Sequence, residues 1–413
     1  MAVTSGWPAA QAVAREFVAR GAARRPRQPA HWPVPNRVGD CSALFWWDDD
    51  HPVFEIPLFH NDDPAGFVVA SGTEDLPPIL QASPLGGTRS AAMNADVYGH
   101  LIRTGRTPLS IRWQYWSALE MVAEVQLADG CMLYLRYPEM FEVAAPTRIA
   151  IQRSPVDTWS EESVAARWEA MRTPYDQRSP ESIGIILESR EPIYYNQNCR
   201  AALRTATDPI TYCSPNCISG CVPVAVAMLS GCWKKVEIAG SASRIWPGSS
   251  CWTNQWPSTT TSDPNRCAEV NTTIWRLHDD FRTTCGGGTA GATVATPTQN
   301  YYRNVWGLPW RFAIQNPVSF DQCNDIITRR HPFVFMAVGD FGVYLNKMAP
   351  DLAEGRMLGE LGHAVACWGF DAAPWVGGPA LLVGLGWGSY FESTWIEFDQ
   401  FTFPHALYVS AFS

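Results

Sequence analysis

The stretch Ser219-Gly220-Cys221-Val222-Pro223-Val224-Ala225-Val226-Ala227-Met228-Leu229 constrains the fold more than any other. Beyond the cysteine it is apolar on every side, so a helix here has no face to give to water and belongs inside a core. Pro223 suits the first helical turn, where its missing N–H is not needed, and Gly231 is the expected stop. Cys221 then stands at or just before the helix start. Free backbone N–H groups and the positive end of the helix dipole favour a thiolate there. Such a cysteine either begins a core helix and does nothing more, or is an activated nucleophile. The rest of the chain decides between the two.

Composition narrows the classes. With 413 residues the chain has room for two cores, and 17% charged residues beside 19 Trp describe a dense globular protein. A net charge of −9 without an interior basic run argues against nucleic acid as a partner. The one arginine cluster, Arg20, Arg24, Arg25 and Arg27, reads as the solvated end of an N-terminal helix. No apolar run is long enough for a membrane span. The first residues lack the order of a signal peptide. Secretion is the expected localisation, through a signal removed or another route, with the cytoplasm as the alternative. Of 12 cysteines, only Cys41 and Cys131 precede residue 190. That asymmetry divides the chain into an N-terminal domain over 1–145, a charged connector over 146–182 open to proteolytic nicking, and a C-terminal domain over 183–413.

Apolar spacing predicts a helix over 9–24, then short strands at 43–47, 53–58 and 66–71 separated by acidic turns. Asp48-Asp49-Asp50 and Asn61-Asp62-Asp63 read as such turns in preference to cation sites. A helix at 91–103 and strands at 121–126 and 132–137 follow. In the C-terminal part, helices at 271–281, 297–306 and 320–330 precede strands at 333–338, 363–368, 381–385, 395–398 and 406–412. Helices followed by an antiparallel sheet make an α+β fold.

Thiol catalysis needs a thiolate, an imidazole to exchange its proton, and donors for an oxyanion. In Leu361-Gly362-His363-Ala364-Val365-Ala366 a histidine opens a strand beside a glycine, at a separation from Cys221 typical of papain-type enzymes. Gln197 stands upstream and could offer its amide together with the Cys221 N–H. Cys213, Cys217, Cys221 and Cys232 could instead crowd around a metal, but their spacings are not those of common zinc sites and no histidine sits among them. No metal and no cofactor is therefore expected.

These residues resemble the streptopain family of papain-like cysteine peptidases. Ile193-Tyr194-Tyr195-Asn196-Gln197 is similar to the segment carrying the family's oxyanion glutamine, and Gly220-Cys221-Val222-Pro223-Val224-Ala225 to its nucleophile motif. Gly362-His363-Ala364-Val365 and Gly369-Phe370-Asp371 resemble the histidine strand. Gly386-Trp387-Gly388 resembles the turn whose ring shields the imidazole. Gly66-Phe67-Val68-Val69-Ala70-Ser71, with Leu76-Pro77-Pro78-Ile79-Leu80, resembles the family's propeptide. The resemblance implies a papain-like catalytic domain behind an inhibitory propeptide, and a zymogen that becomes a cysteine endopeptidase. Cys221, His363 and Gln197 would be catalytic, with Trp387, Gly220, Gly362 and Gly386 shaping or shielding the pocket. The partners would be a protein or peptide substrate and the chain's own propeptide in the cleft. One position departs: the family's orienting asparagine is matched by Gly384. A weak or inactive homologue serving as a binding module, and an acyl transferase or amidase with the same dyad, are the rival expectations.

Overall fold

The computed structural model describes residues 6–24, 34–46, 51–83, 87–117, 120–137, 140–143, 161–172, 183–185, 220–235, 268–283, 289, 293–338, 363–372, 379–384 and 394–412. In the first half these form α1 (Trp7–Arg24), β1 (Arg37–Val38), β2 (Ala43–Trp46), β3 (Pro52–His60), β4 (Asp63–Ser71), β5 (Ile79–Ser83), α2 (Ser90–Arg103), β6 (Pro108–Ser117), β7 (Glu120–Leu127), β8 (Met132–Tyr137) and β9 (Phe141–Val143). After α3 (Glu161–Arg172) come β10 (Ile183–Ile185), α4 (Cys221–Lys235), α5 (Ala268–Asp280), α6 (Ala295–Trp306), β11 (Arg311–Gln315) and α7 (Phe320–Thr328). The chain closes with β12 (Phe333–Val338), β13 (His363–Asp371), β14 (Ala380–Gly384), β15 (Thr394–Glu397) and β16 (Thr402–Ala411). The fold is α+β. No helix among the described residues is long and apolar enough to cross a membrane.

In the first half, β3 and β4 form a hairpin whose turn is the acidic segment: His60 pairs with Asp63, and Asn61 takes the left-handed conformation with φ 58°. Asparagine tolerates that region better than most residues. The carboxylate of Glu55, fully buried on β3, accepts the N–H groups of Arg89 and Ser90, both at 3.1 Å. Those donors begin α2, so a buried charge meets the positive end of a helix and the Arg89 guanidinium together.

Arg20 corrects one expectation. Its guanidinium is 4% exposed and donates to the carbonyls of Ala170 and Met171 at the end of α3, at 2.5 and 3.0 Å. It is a buried clamp and not a solvated helix end. Helix α3, the described part of the connector, is docked on the N-terminal half. Trp168 Nε1 donates to the Leu76 carbonyl at 2.8 Å, and Arg172 pairs with Glu74.

In the second half, β13 is the central strand. It pairs antiparallel with β12 from Phe333–Cys367 to Ala337–His363, and with β14 from Ala366–Gly384 to Asp371–Ala380. Every residue of β13 from His363 to Asp371 is buried. That explains a near-continuous apolar run where a half-exposed strand would alternate. Helix α4 lies against β13. It continues through the expected stop at Gly231, because Cys232 and Trp233 beyond it are fully buried. Their burial outweighs the cost of a mid-helix glycine, about 1 kcal/mol.

Among the described residues the sixteen strands form one sheet, in the order β11-β16-β12-β13-β14-β15-β5-β4-β3-β2-β6-β7-β8-β9, with β1 on β3 and β10 on β13. The two halves therefore share a sheet, joined where β15 pairs with β5. The buried apolar residues likewise make one contiguous cluster.

Candidate functional site

Cys221 is the first residue of α4, and Gly220 before it has φ +87°. A side chain there would be strained, and its Cβ would come within 2.8 Å of the Thr283 methyl. Thr283 follows α5. It is buried, and its hydroxyl pairs with that of Thr289 at 2.7 Å. A glycine in a left-handed turn, braced by the end of α5, thus delivers Cys221 to the helix start.

The described cysteines differ in setting. Cys41, Cys131, Cys323 and Cys367 are free thiols, while Cys221 and Cys232 stand on α4. Cys232, Cys323 and Cys367 are buried, and desolvation pushes the thiol of Cys323 up to about 12 and that of Cys367 well above its ordinary value. Burial of its sulfur pushes Cys41 up to about 11, against a hydrogen bond to Ala43. Cys131 is held up by the Asp129 carboxylate, through a hydrogen bond and then its charge. Among the described residues, Cys221 alone is a half-buried cysteine at a helix N-terminus. It is the one best placed to be a reactive thiolate.

His363 opens β13 and is buried, 2% exposed. The packing of α4 on β13 fixes where the two starts lie. At the far end of α4, the Trp233 ring meets those of Trp310, His331 and Phe412 at centroid distances of 5.2, 5.5 and 5.5 Å. His331 precedes Phe333, the partner of Cys367, so Trp233 sits toward the C-terminal end of β13. Helix and strand therefore run in the same direction. Midway, the open side of Gly384, opposite Ala366, is filled by the Met228 methyl and the Trp368 ring.

From Met228 back to Cys221 is about 10 Å of helix. From Ala366 back to His363 is about 10 Å of strand. The helix and strand starts thus arrive at the same end of the sheet. Strand alternation puts Ala364, Ala366 and Gly384 on the face toward α4, and His363 on the other face with Val365 and Cys367.

Gly384 lies three residues along β13 from the level of His363 and faces α4. A side chain there would overlap Met228 and Trp368. Gln197, Gly362, Gly386 and Trp387 lie outside the described residues, as do Cys213 and Cys217. Among the described residues no group of three or more His, Cys, Asp or Glu is arranged to hold a metal ion. Sequence reasoning missed the Thr283–Thr289 pair. Neither threonine carries a local signal, since their role depends on the docking of α5 against α4.

No protein-family model matches the chain, and no curated protein matches it either.

Proposed function

We propose that the chain is a cysteine endopeptidase made as a zymogen, with Cys221 and His363 as its thiolate–imidazole dyad. The observation that carries the reading is the alignment of α4 with β13, which brings a helix-start cysteine and a strand-start histidine to one end of the sheet. In this mechanism the Cys221 thiolate attacks the scissile carbonyl, forming a C–S bond. The oxyanion is held by the Cys221 N–H and the Gln197 amide. His363 gives its proton to the leaving amine as the C–N bond breaks. Water, deprotonated by His363, then cleaves the thioester and regenerates the thiolate. The resemblance to streptopain-type peptidases adds the substrate class, a protein or peptide, and assigns the N-terminal half as propeptide. It also points to secretion.

The test is incubation of the purified protein, alone and with a denatured protein substrate, followed on a denaturing gel. Wild type is expected to release an N-terminal fragment and degrade the substrate, while Cys221→Ala does neither. Peptide-mapped alkylation at neutral pH should modify Cys221 faster than the exposed Cys131, and His363→Ala should remove that advantage. An intact wild type whose Cys221 reacts no faster than Cys131 would sink the proposal.

One observation favours a second reading, a weak or inactive homologue that binds without cutting. Gly384, matched by resemblance to the orienting asparagine, faces α4 and has no room for a side chain. The imidazole would then lack its usual steering group. Rapid Cys221 alkylation without substrate turnover is the outcome that selects this reading.

A further inference from the structure

The seam between the halves is built like the inside of a sheet. Trp395 and Ile396 of β15 pair with Ala82 and Gln81 of β5, and all four residues are 2% exposed or less. Leu80 beside them is fully buried, and the apolar cluster runs through without a break. A removable cover would be expected to meet its partner on a polar, partly wet surface. Here backbone ladder bonds and buried, largely apolar packing cross the boundary together.

Helix α3 adds a second tie. Its Arg167 reaches from the N-terminal side to the buried carboxylate of Glu397, and at 3.3 Å to the half-exposed Asp399. Both carboxylates lie at or just past the end of β15, in the C-terminal half. The same helix is fixed to the N-terminal half through Trp168 and Leu76, Arg172 and Glu74, and the Arg20 clamp on its last carbonyls. One side of α3 is thus bound to one half while its Arg167 is the buried counter-charge of the other. Removing Arg167 while the halves stay together would leave Glu397 buried without its partner, the costly way to break a buried pair.

The seam also lies away from the proposed reacting end. Strand β5 is three strands from β13, about 14 Å across the sheet. It attaches level with Phe370, through Ile396 and Leu381, about 20 Å along β13 from His363. The N-terminal half can keep its place in the sheet whatever happens at Cys221.

We propose that the N-terminal half is a permanent partner of the C-terminal half, held by the β5–β15 ladder and the Arg167–Glu397 pair, and that it stays bound after the chain between them is cut. A processed molecule would be a two-chain complex, with activity gained by local rearrangement near Cys221 and not by departure of the first 170 or so residues. The inference bears on the zymogen reading but does not depend on it.

The test uses the full chain carrying Cys221→Ala, with a recognition sequence for an added protease inserted between residues 200 and 210. The result is therefore independent of whether the protein cuts peptides. After complete cleavage, size-exclusion chromatography at micromolar concentration and 0.15 M salt should give both fragments in one peak, near the 45.8 kDa of the uncut chain. Separate elution of the N-terminal fragment overturns the proposal. Arg167→Ala in the cut chain should raise the dissociation constant at least about a hundredfold. Because that variant can fail to fold, Asp399→Ala is the milder control, with an expected weakening of about twofold to fivefold. Co-elution unaffected by either variant would overturn the role given to α3.

Discussion

The two ends of α4 are built in opposite ways. At its C-terminal end Trp233 is enclosed by Trp310, His331 and Phe412, and Tyr302 stacks on Trp310 at 5.7 Å. One turn back, the buried Ser230 hydroxyl bonds the Tyr302 hydroxyl at 2.7 Å. At its N-terminal end the neighbours among the described residues are small: Gly220, the Thr283 methyl and the Thr283–Thr289 hydroxyl pair. Large rings make many dispersion contacts and fix a helix in rotation and height. Small residues leave the cysteine half-exposed at the helix start. The helix is held by large rings at its C-terminal end, while its N-terminal end stays half-exposed.

The largest expected effect breaks the anchored end. Trp233→Ala removes a fully buried ring from four-way aromatic packing and leaves a cavity in a core that cannot close over it. The loss should be about 3–5 kcal/mol, read as a lower urea midpoint by tryptophan fluorescence or circular dichroism. If the anchor sets the height of α4, the alkylation advantage of Cys221 over Cys131 should shrink in the same variant, though the two sites lie about 18 Å apart along the helix. A stability loss with unchanged Cys221 reactivity would separate the two ends of the comparison.

Breaking the open end should cost less stability and more chemistry. Gly220→Ala forces a side chain into a left-handed φ of +87° and toward the Thr283 methyl. About 1–3 kcal/mol is expected, with a fall in Cys221 alkylation rate out of proportion to it. The turn that presents the thiol is strained, while the rings that hold the helix are untouched. An alkylation rate equal to wild type would mean that this turn does not position the sulfur.

How far this was legible in the sequence follows from the reach of each interaction. The strand at Phe333–Val338 and the strand start at His363 were readable, because short apolar runs are bounded by Arg329-Arg330-His331-Pro332 and by Gly362. The start of α7 carries a readable signal of the same kind: the Ser319 hydroxyl and Gln322 side chain close a capping box. Strand β6 was missed although Ile111, Trp113 and Tyr115 alternate with polar residues, a period-two pattern overlooked between a helix and a turn. Strand β11 has only five residues and exists through pairing with β16, nearly a hundred residues later. The α3 tie was beyond reach for the same reason, since Arg167 and Asp399 are 232 residues apart. At the candidate site, the helix-start cysteine was local and visible. The side of the sheet that Gly384 faces depended on pairing register, which a motif match does not carry.

The smallest expected effect sharpens the comparison by titrating the anchored end alone. His331 is half-buried in the Trp233 cluster. Burial lowers its affinity for a proton, the nearby Arg329 charge lowers it further, and a hydrogen bond to the Val409 backbone opposes both. The unfolded chain therefore takes up this proton more readily than the folded one. Stability is fully present above the ordinary imidazole range, near pH 6.5, and falls as pH drops through that value toward the lower folded one. His405 on β16, also depressed by burial, adds a term of the same sign. In His331→Phe the ring packing is kept and the proton is gone. Urea midpoints measured at pH 7.5 and pH 5 should then show a smaller acid loss in the variant than in wild type. An equal loss in both would move the acid sensitivity away from the aromatic anchor, and α4 would be held through Met228 and Tyr302 whatever the charge on His331.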